Sequence, residues 1–365
     1  MMAGPIMIMA GGTVGHVFPG LAVAEALRRR NSAVVWVGTR RGLEARLVPQ
    51  HGIAVEWISI YGVRGRGVLA WLAAPFRIAL AVLQVQGALR RRKPSAVLGM
   101  GGFVAGPGGL AAWLARKPLL IHEQNAVAGT TNRYLARFAR RVFEAFPGSF
   151  PRGVEAELVG NPVRESIEAL PPPAERIGAR AAGRRRVLVL GGSQGARVLN
   201  RTVPEALARL PEALRPAVWH QTGAAGADET AERYAALGLR DEDLRVAPFI
   251  DDMAAAYGWA DLVIARAGAL TVSELAAAGV GAVLIPFPYA IDDHQTKNAA
   301  QFVAAGAGRL LPENNLTAER LAALLEPLLA APTELVTLGE HARGFARFGA
   351  AERLADACLE AGGAR

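Results

Sequence analysis

Short apolar runs alternate with longer amphipathic stretches along the whole chain. Runs with strand character fall at residues 6–10, 33–37, 55–60, 96–98, 119–122 and 141–143. A second series follows at 187–190, 217–221, 244–247, 262–265 and 282–285. Between them lie stretches of helical period. In 16–30, for example, Val17, Leu21, Ala24 and Leu27 share one face, and three arginines close the last turn, where positive charge suits the helix dipole. Strands separated by helices of this length predict parallel sheets with helices on both faces.

The series starts twice. IMIMAGG at 6–12 and VLVLGGS at 187–193 are each an apolar strand running into glycines. Between them lies a structure-poor segment with Asn161-Pro162 and prolines at 171–173, which places a hinge near 160–163. The expected architecture is α/β, with two Rossmann-like doubly wound domains, 1–162 and 163–342, facing across a cleft. A final helix within about 343–365 is expected to return to the first domain. Ligands of such sheets bind outside the carboxyl ends of the strands.

Composition narrows the function classes. The 365 residues are 52% hydrophobic and 20% charged, an ordinary globular balance. A single cysteine, Cys358, rules out an internal disulfide framework, and CxxC and HExxH spacings are absent. The net charge of +9 is uneven: residues 1–160 hold 20 Lys+Arg against 7 Asp+Glu, whereas 161–365 carry a small negative balance. That asymmetry argues against a nucleic-acid binder and points the first half toward something anionic. The first ten residues run into a glycine turn rather than a cleavage site, so no signal peptide is expected. The apolar stretch 68–89 is interrupted by Pro75, Arg77, Gln84 and Gln86, which reads as a surface or interfacial helix rather than a span.

Six segments carry candidate chemistry. GGTVGH at 11–16 is a strand-to-helix turn where backbone approaches a ligand and the helix N-terminus attracts anions; His16 is a candidate base there. GMGGFVAGPGG at 99–109 holds six glycines, a density that packing alone explains poorly and that suits a loop around a sugar or anion. GGSQGA at 191–196 offers Ser193 and backbone N–H groups to a phosphate. In GALTVSE at 268–274, a small-residue turn opens a helix, and Glu274 is placed to accept ribose hydroxyls. In PFPYAIDDHQTKN at 286–298, Gln295 suits sugar hydroxyls, while Asp292 and Asp293 are expected to cap the next helix rather than bind metal. HEQN at 122–125 is a polar strand end suited to a sugar site. The spacing of GGSQGA is not GxGxxG, and neither second strand ends in the acid expected for an NAD ribose, which disfavours a dinucleotide oxidoreductase; Arg40 and Arg41 leave NADP as a remote alternative.

Taken in order, GGTVGHVFPGLAVAEAL, VLGMGGFVAGPGGLAAW, HEQNAVAGTTNR, VGNPVR, GGSQGARVLN, FIDDMAAAY, GALTVSELAAAG and DDHQTKNA closely resemble the family of UDP-N-acetylglucosamine: lipid-linked muramyl-pentapeptide N-acetylglucosaminyltransferases, which has the GT-B fold. The resemblance spans residue 11 to about 299. It implies inverting transfer of N-acetylglucosamine from UDP-GlcNAc to the C4 hydroxyl of undecaprenyl-pyrophosphoryl-MurNAc-pentapeptide, with no obligatory cofactor or metal. By the same resemblance, Thr13, Val14 and Gly15 line the loop beside donor and acceptor, and Gly101, Gly102 and Phe103 lie on the acceptor side. Asn125 and Gln295 contact the N-acetylglucosamine. Arg164 and the Ile250 backbone hold the uracil end, and Ser193 meets a phosphate. Ala269, Leu270, Thr271, Val272 and Ser273 wrap the diphosphate and sugar, Glu274 binds the ribose, and His16 is the family's candidate base.

A lipid-linked acceptor implies an enzyme attached peripherally to the cytoplasmic face of the cell membrane. Trp71, Leu72, Phe76, Arg77 and Leu80 are the expected contacts with an anionic membrane surface. Another acceptor on the same fold, a UDP-GlcNAc 2-epimerase, or a non-catalytic UDP-sugar-binding protein are the alternatives. Val14 stands where the family has glycine, and a β-branched residue would strain that loop if the position needs positive φ.

Overall fold

The computed structural model describes residues 4–60, 67–178, 183–192, 196–239 and 243–363, the side chains of 67–73 excepted. The chain divides into two compact units, one of Met1–Arg164 with Arg347–Arg365, the other of Glu165–Ala346.

In the first unit, strands β1 (Ile6–Met9), β2 (Val34–Gly38), β3 (Ala54–Trp57), β4 (Ala96–Gly99), β5 (Leu119–Glu123), β6 (Arg141–Glu144) and β7 (Glu157–Leu158) form one parallel sheet, ordered β3-β2-β1-β4-β5-β6-β7. Successive side chains of a strand point to opposite faces, so β1 builds two cores. Ile6 and Ile8 pack with Leu21, Leu27, Leu354 and Cys358, from the helices Val14–Arg29 and Ala350–Ala361. Met7 and Met9 pack with Val85, Leu89, Val104 and Ala105, from the helices Gly67–Arg92 and Gly102–Leu114. The C-terminal helix therefore supplies part of the first unit's core. Arg29 and Arg30 in the last turns of the first helix pair with its Glu352 and Asp356.

The second unit repeats the plan. Strands β8 (Arg186–Leu190), β9 (Ala217–Gln221), β10 (Leu244–Ala247), β11 (Leu262–Ala265), β12 (Gly281–Leu284) and β13 (Gly308–Leu310) form a parallel sheet ordered β10-β9-β8-β11-β12-β13. In both sheets the strand order reverses direction beside the first strand, between β1 and β4 and between β8 and β11. That reversal opens a crevice at the carboxyl ends, where such sheets take ligands.

Two expectations change. The glycine-dense segment 99–109 is mostly helix, not loop: only Gly99 to Gly101 precede the helix Gly102–Leu114. Gly108 and Gly109 are buried packing positions, where a Cβ would collide with Met9 and Leu135. Asp293, at the N-cap of the helix His294–Ala304, makes no side-chain cap bond; it and Asp292 adopt left-handed backbone angles, φ 52° and 53°.

Candidate active site

The glycine turns after β1 and β4 interlock around His16. Gly101 and Gly102 have φ of +86° and +77°, angles that glycine adopts without steric cost. A Cβ on Gly101 would stand 3.0 Å from the His16 ring, and one on Gly102 would stand 2.6 Å from the Gly11 carbonyl oxygen. Phe103, at the start of the following helix, lies against Gly12.

Thr13 is the extended N-cap residue of the helix Val14–Arg29; its hydroxyl makes no cap bond, and its carbonyl accepts from the His16 and Val17 N–H groups. Val14 begins the helix and does not have positive φ. The replacement of glycine at this position therefore brings no left-handed strain. A Cβ on Gly15 would meet only the Thr13 hydroxyl oxygen, at 3.9 Å.

A buried carboxylate holds the first turn from behind. Glu44 accepts from the Gly12 N–H at 3.0 Å with one oxygen, and from the Thr39 N–H and hydroxyl at 3.0 and 2.8 Å with the other. Three donors offset the desolvation of this fully buried group. Glu44 was not singled out in the sequence, because its partners lie on other elements.

From His16 a polar chain runs inward. Its Nδ1 lies 3.1 Å from Oε1 of Gln124, whose Nε2 lies 2.8 Å from the Met100 carbonyl oxygen and 3.1 Å from Nδ1 of His122. Nε2 of His122 lies 2.9 Å from the Gly160 carbonyl oxygen. Burial pushes the His122 imidazole down to about 4, an effect that the hydrogen bond to Gly160 opposes and the nearby His16 reinforces. At neutral pH His122 is uncharged.

Glu123 positions Asn125. One carboxylate oxygen accepts from the Asn125 N–H and side-chain Nδ2 at 3.0 and 3.2 Å, and the other from the Gly129 N–H and Asn132 Nδ2. Arg164 stacks its guanidinium over the Phe18 ring, 5.6 Å from its centroid.

In the second unit, the helix Ala269–Ala278 follows β11 with Gly268 as an N-cap that provides no side-chain bond. The first amides of a helix have no intrahelical acceptor and present partial positive charge. Ala269, Leu270 and Thr271 occupy that first turn, followed by Val272 and Ser273. Glu274, a turn further on, is buried and accepts from the Tyr257 hydroxyl at 3.1 Å. Gln295 accepts the Phe287 N–H through Oε1 at 2.9 Å, which turns its NH2 to donate elsewhere. Arg266 ties the neighbouring loops together through the Ile285 and Pro286 carbonyls and Glu313. Ile250 is buried just beyond β10. Ser193 lies outside the described residues.

A separate feature of the first unit is apolar surface. Phe76 is 80% exposed and Leu83 63%, on the face of the helix Gly67–Arg92 opposite its buried Ala81, Val85 and Ala88; Ile78, Leu80 and Arg77 are also exposed. The side chains of Trp71 and Leu72 lie outside the described residues. Sequence reading missed the neighbouring contribution of Trp113, Leu114, Tyr134 and Phe138, all exposed, with the Trp113 and Phe138 rings 4.7 Å apart and tilted by 44°, and Arg137 over Tyr134. Among the described residues, no single helix is long and apolar enough to cross a membrane.

Comparison with known proteins places these features in a family. Residues 6–144 match the model of the glycosyltransferase family 28 N-terminal domain, and 186–354 match that of its C-terminal domain. The chain is 58% identical over 359 residues to the UDP-N-acetylglucosamine--N-acetylmuramyl-(pentapeptide) pyrophosphoryl-undecaprenol N-acetylglucosamine transferase of Nitrosococcus oceani, covering 98% of this chain and 99% of that one. The crystal structure of Acinetobacter baumannii MurG superposes with a TM-score of 0.84 at 42% identity, over 98% of this chain and 99% of that one. The calicheamicin glycosyltransferase, at 18% identity and a TM-score of 0.69 over 99% of both chains, shares the fold alone.

Proposed function

The chain belongs to glycosyltransferase family 28, and from that premise we propose that it transfers N-acetylglucosamine from UDP-GlcNAc to the lipid-linked MurNAc-pentapeptide of peptidoglycan synthesis. It is a hexosyltransferase with the GT-B fold. The observation that carries the substrate assignment is the 58% identity to a transferase of that name over 98% of the chain. A different acceptor or an epimerase activity has no comparable support.

In the reaction, the C4 hydroxyl oxygen of the muramyl sugar attacks the anomeric carbon of N-acetylglucosamine from the face opposite UDP. The bond from that carbon to the diphosphate oxygen breaks, and its electron pair leaves with UDP. The hydroxyl proton passes to His16. The second unit holds the donor: the first-turn amides of Ala269–Ala278 face the diphosphate, and Glu274 and Gln295 hold ribose and sugar. Charge that develops on the leaving diphosphate is stabilised there by fixed dipoles. Ser193, Ile250 and Arg164 complete the nucleotide contacts. In the first unit, Gly101, Gly102 and Phe103 lie on the acceptor side beside His16, Thr13, Val14 and Gly15 line the loop beside donor and acceptor, and Asn125 contacts the N-acetylglucosamine. The chemistry needs no cofactor. The exposed apolar surface of the first unit, flanked by its basic residues, rests on the anionic cytoplasmic membrane surface, where the acceptor's lipid is anchored.

The test is UDP release from UDP-GlcNAc with and without a lipid-linked muramyl-pentapeptide. Release that depends on the acceptor is expected. Conversion of UDP-GlcNAc in its absence, or none in its presence, overturns the assignment.

A further inference from the structure

Gln124 is 1% exposed, carries no charge, and touches three polar groups whose roles are fixed from two ends. The Met100 carbonyl can only accept, so the group 2.8 Å from it must be the Gln124 NH2. The amide oxygen then necessarily faces His16, and an amide oxygen can only accept. Nδ1 of His16, 3.1 Å away, must therefore carry the hydrogen.

The far end agrees independently. The Gly160 carbonyl can only accept, so Nε2 of His122 carries its hydrogen, and the neutral ring keeps its lone pair on Nδ1. That lone pair is what the second N–H of Gln124 meets at 3.1 Å. One arrangement of hydrogens satisfies every contact from Gly160 to His16. Turning the amide over would set its oxygen against both the Met100 carbonyl oxygen and the His122 Nδ1 lone pair, opposing acceptor to acceptor at two buried contacts. A charged His122 would direct Nδ1–H at the Gln124 NH2, and its burial keeps it neutral.

We propose that Gln124 is a positioning residue that locks neutral His16 in the Nδ1–H tautomer, so that the lone pair that takes the acceptor's proton is on Nε2. Two backbone carbonyls, of Met100 and Gly160, set the orientation, and His122 transmits the second of them. The hydrogen bond to a side-chain oxygen also holds the ring in one rotation. The ionised carboxylate that performs this task in many histidine bases is replaced by a neutral amide, so the ring is oriented without a charged partner. The catalytic consequence rests on the proposed role of His16 as base; the tautomer does not.

The experiment is a long-range proton–nitrogen correlation spectrum of the full chain labelled with 15N-histidine, recorded at alkaline pH. The His16 signals are identified from their loss in His16→Gln. The expected spectrum has a protonated Nδ1 and an unprotonated Nε2 for His16, and the reverse for His122. In Gln124→Leu, His16 shifts toward the Nε2–H form, and kcat falls at least about tenfold, within the range general-base catalysis supplies, while KM for UDP-GlcNAc stays within about twofold. Gln124→Glu keeps an acceptor at Nδ1 and is expected to retain the tautomer and more of kcat than Gln124→Leu. An Nε2–H signal for His16 in the unaltered protein overturns the proposal, as does unchanged kcat in a folded Gln124→Leu. If Gln124→Leu does not fold, the unaltered spectrum and Gln124→Glu still decide. If the unaltered protein lacks transferase activity, the functional assignment fails while the spectrum still tests the tautomer.

Discussion

At the scale of single residues, position 14 separates sequence resemblance from local physics. The family's glycine suggests a turn that needs conformational freedom, yet Val14 is the first residue of a helix with negative φ. The positive φ of that turn is carried by Gly12 instead, at +93°. Restoring glycine at 14 is therefore expected to loosen the helix start rather than relieve it. Val14→Gly should cost up to about 1 kcal/mol of stability, read as a lowered denaturation midpoint, because glycine is the poorest helix former after proline. Its transfer rate should stay within about twofold of the parent, since no backbone strain is there to release. A tenfold gain in rate would show that the loop works under a strain absent from this geometry. Residues such as His16, Asn125 and Gln295 were legible as candidates because polar groups at strand ends and helix starts advertise themselves. Glu44 was not, and neither was the part Gln124 plays within HEQN, because their meaning lies in contacts with Gly12 and His16, 32 and 108 positions away in the chain.

At the scale of elements, strongly apolar strands were readable and weak ones were not. β1, β4 and β11 are four-residue runs buried along their whole length, and their patterns locate them within a residue or so. β7 has two exposed residues, Glu157 and Leu158, and β13 is the three-residue GRL; both are edge strands whose pairing depends on a neighbour rather than on their own sequence. The glycines of 106–109 were misread for a related reason. A small residue signals a loop and a tight helix contact equally, and only the position of Met9 and Leu135 decides between them. The helix Gly67–Arg92 has apolar residues on both faces, which periodicity cannot assign: one face packs in the core, while the other leaves Phe76 and Leu83 in solvent. Burying such side chains contributes roughly 1.5–3 kcal/mol each, a sizeable share of a peripheral attachment. Replacing Phe76 and Leu83 together with aspartate is expected to weaken sedimentation with anionic vesicles at least about tenfold, since lost burial and added repulsion act together. Release of UDP with a short, water-soluble acceptor analogue should be unchanged. Equal vesicle binding by the double variant would remove this helix from the membrane surface.

At the scale of the whole molecule, the two sheets are made from nearly contiguous chain, and the exception has energetic consequences. The chain enters the second unit after Arg164 and leaves it at Arg347, so the helix Ala350–Ala361 packs into the first unit's core. Leu354, Ala355 and Cys358 of the closing helix are fully buried against the sheet and the first helix. Removing that helix forfeits roughly 5 kcal/mol of burial, comparable with the 5–15 kcal/mol that holds an ordinary domain folded. Truncation after Ala346 should therefore abolish hydrogen-exchange protection within 4–164 while leaving it within 165–346. Loss spread evenly over both segments would mean that the units do not fold as separate bodies. Cys358 reports on the same docking in the intact chain. Burial pushes its thiol up to about 12, against a smaller opposing effect of Arg141, and the thiolate is the reactive form. A thiol reagent should thus modify it only as fast as the helix opens. The rate should rise with denaturant well below the concentration that unfolds the whole chain, because terminal helices open at lower free energy than central strands.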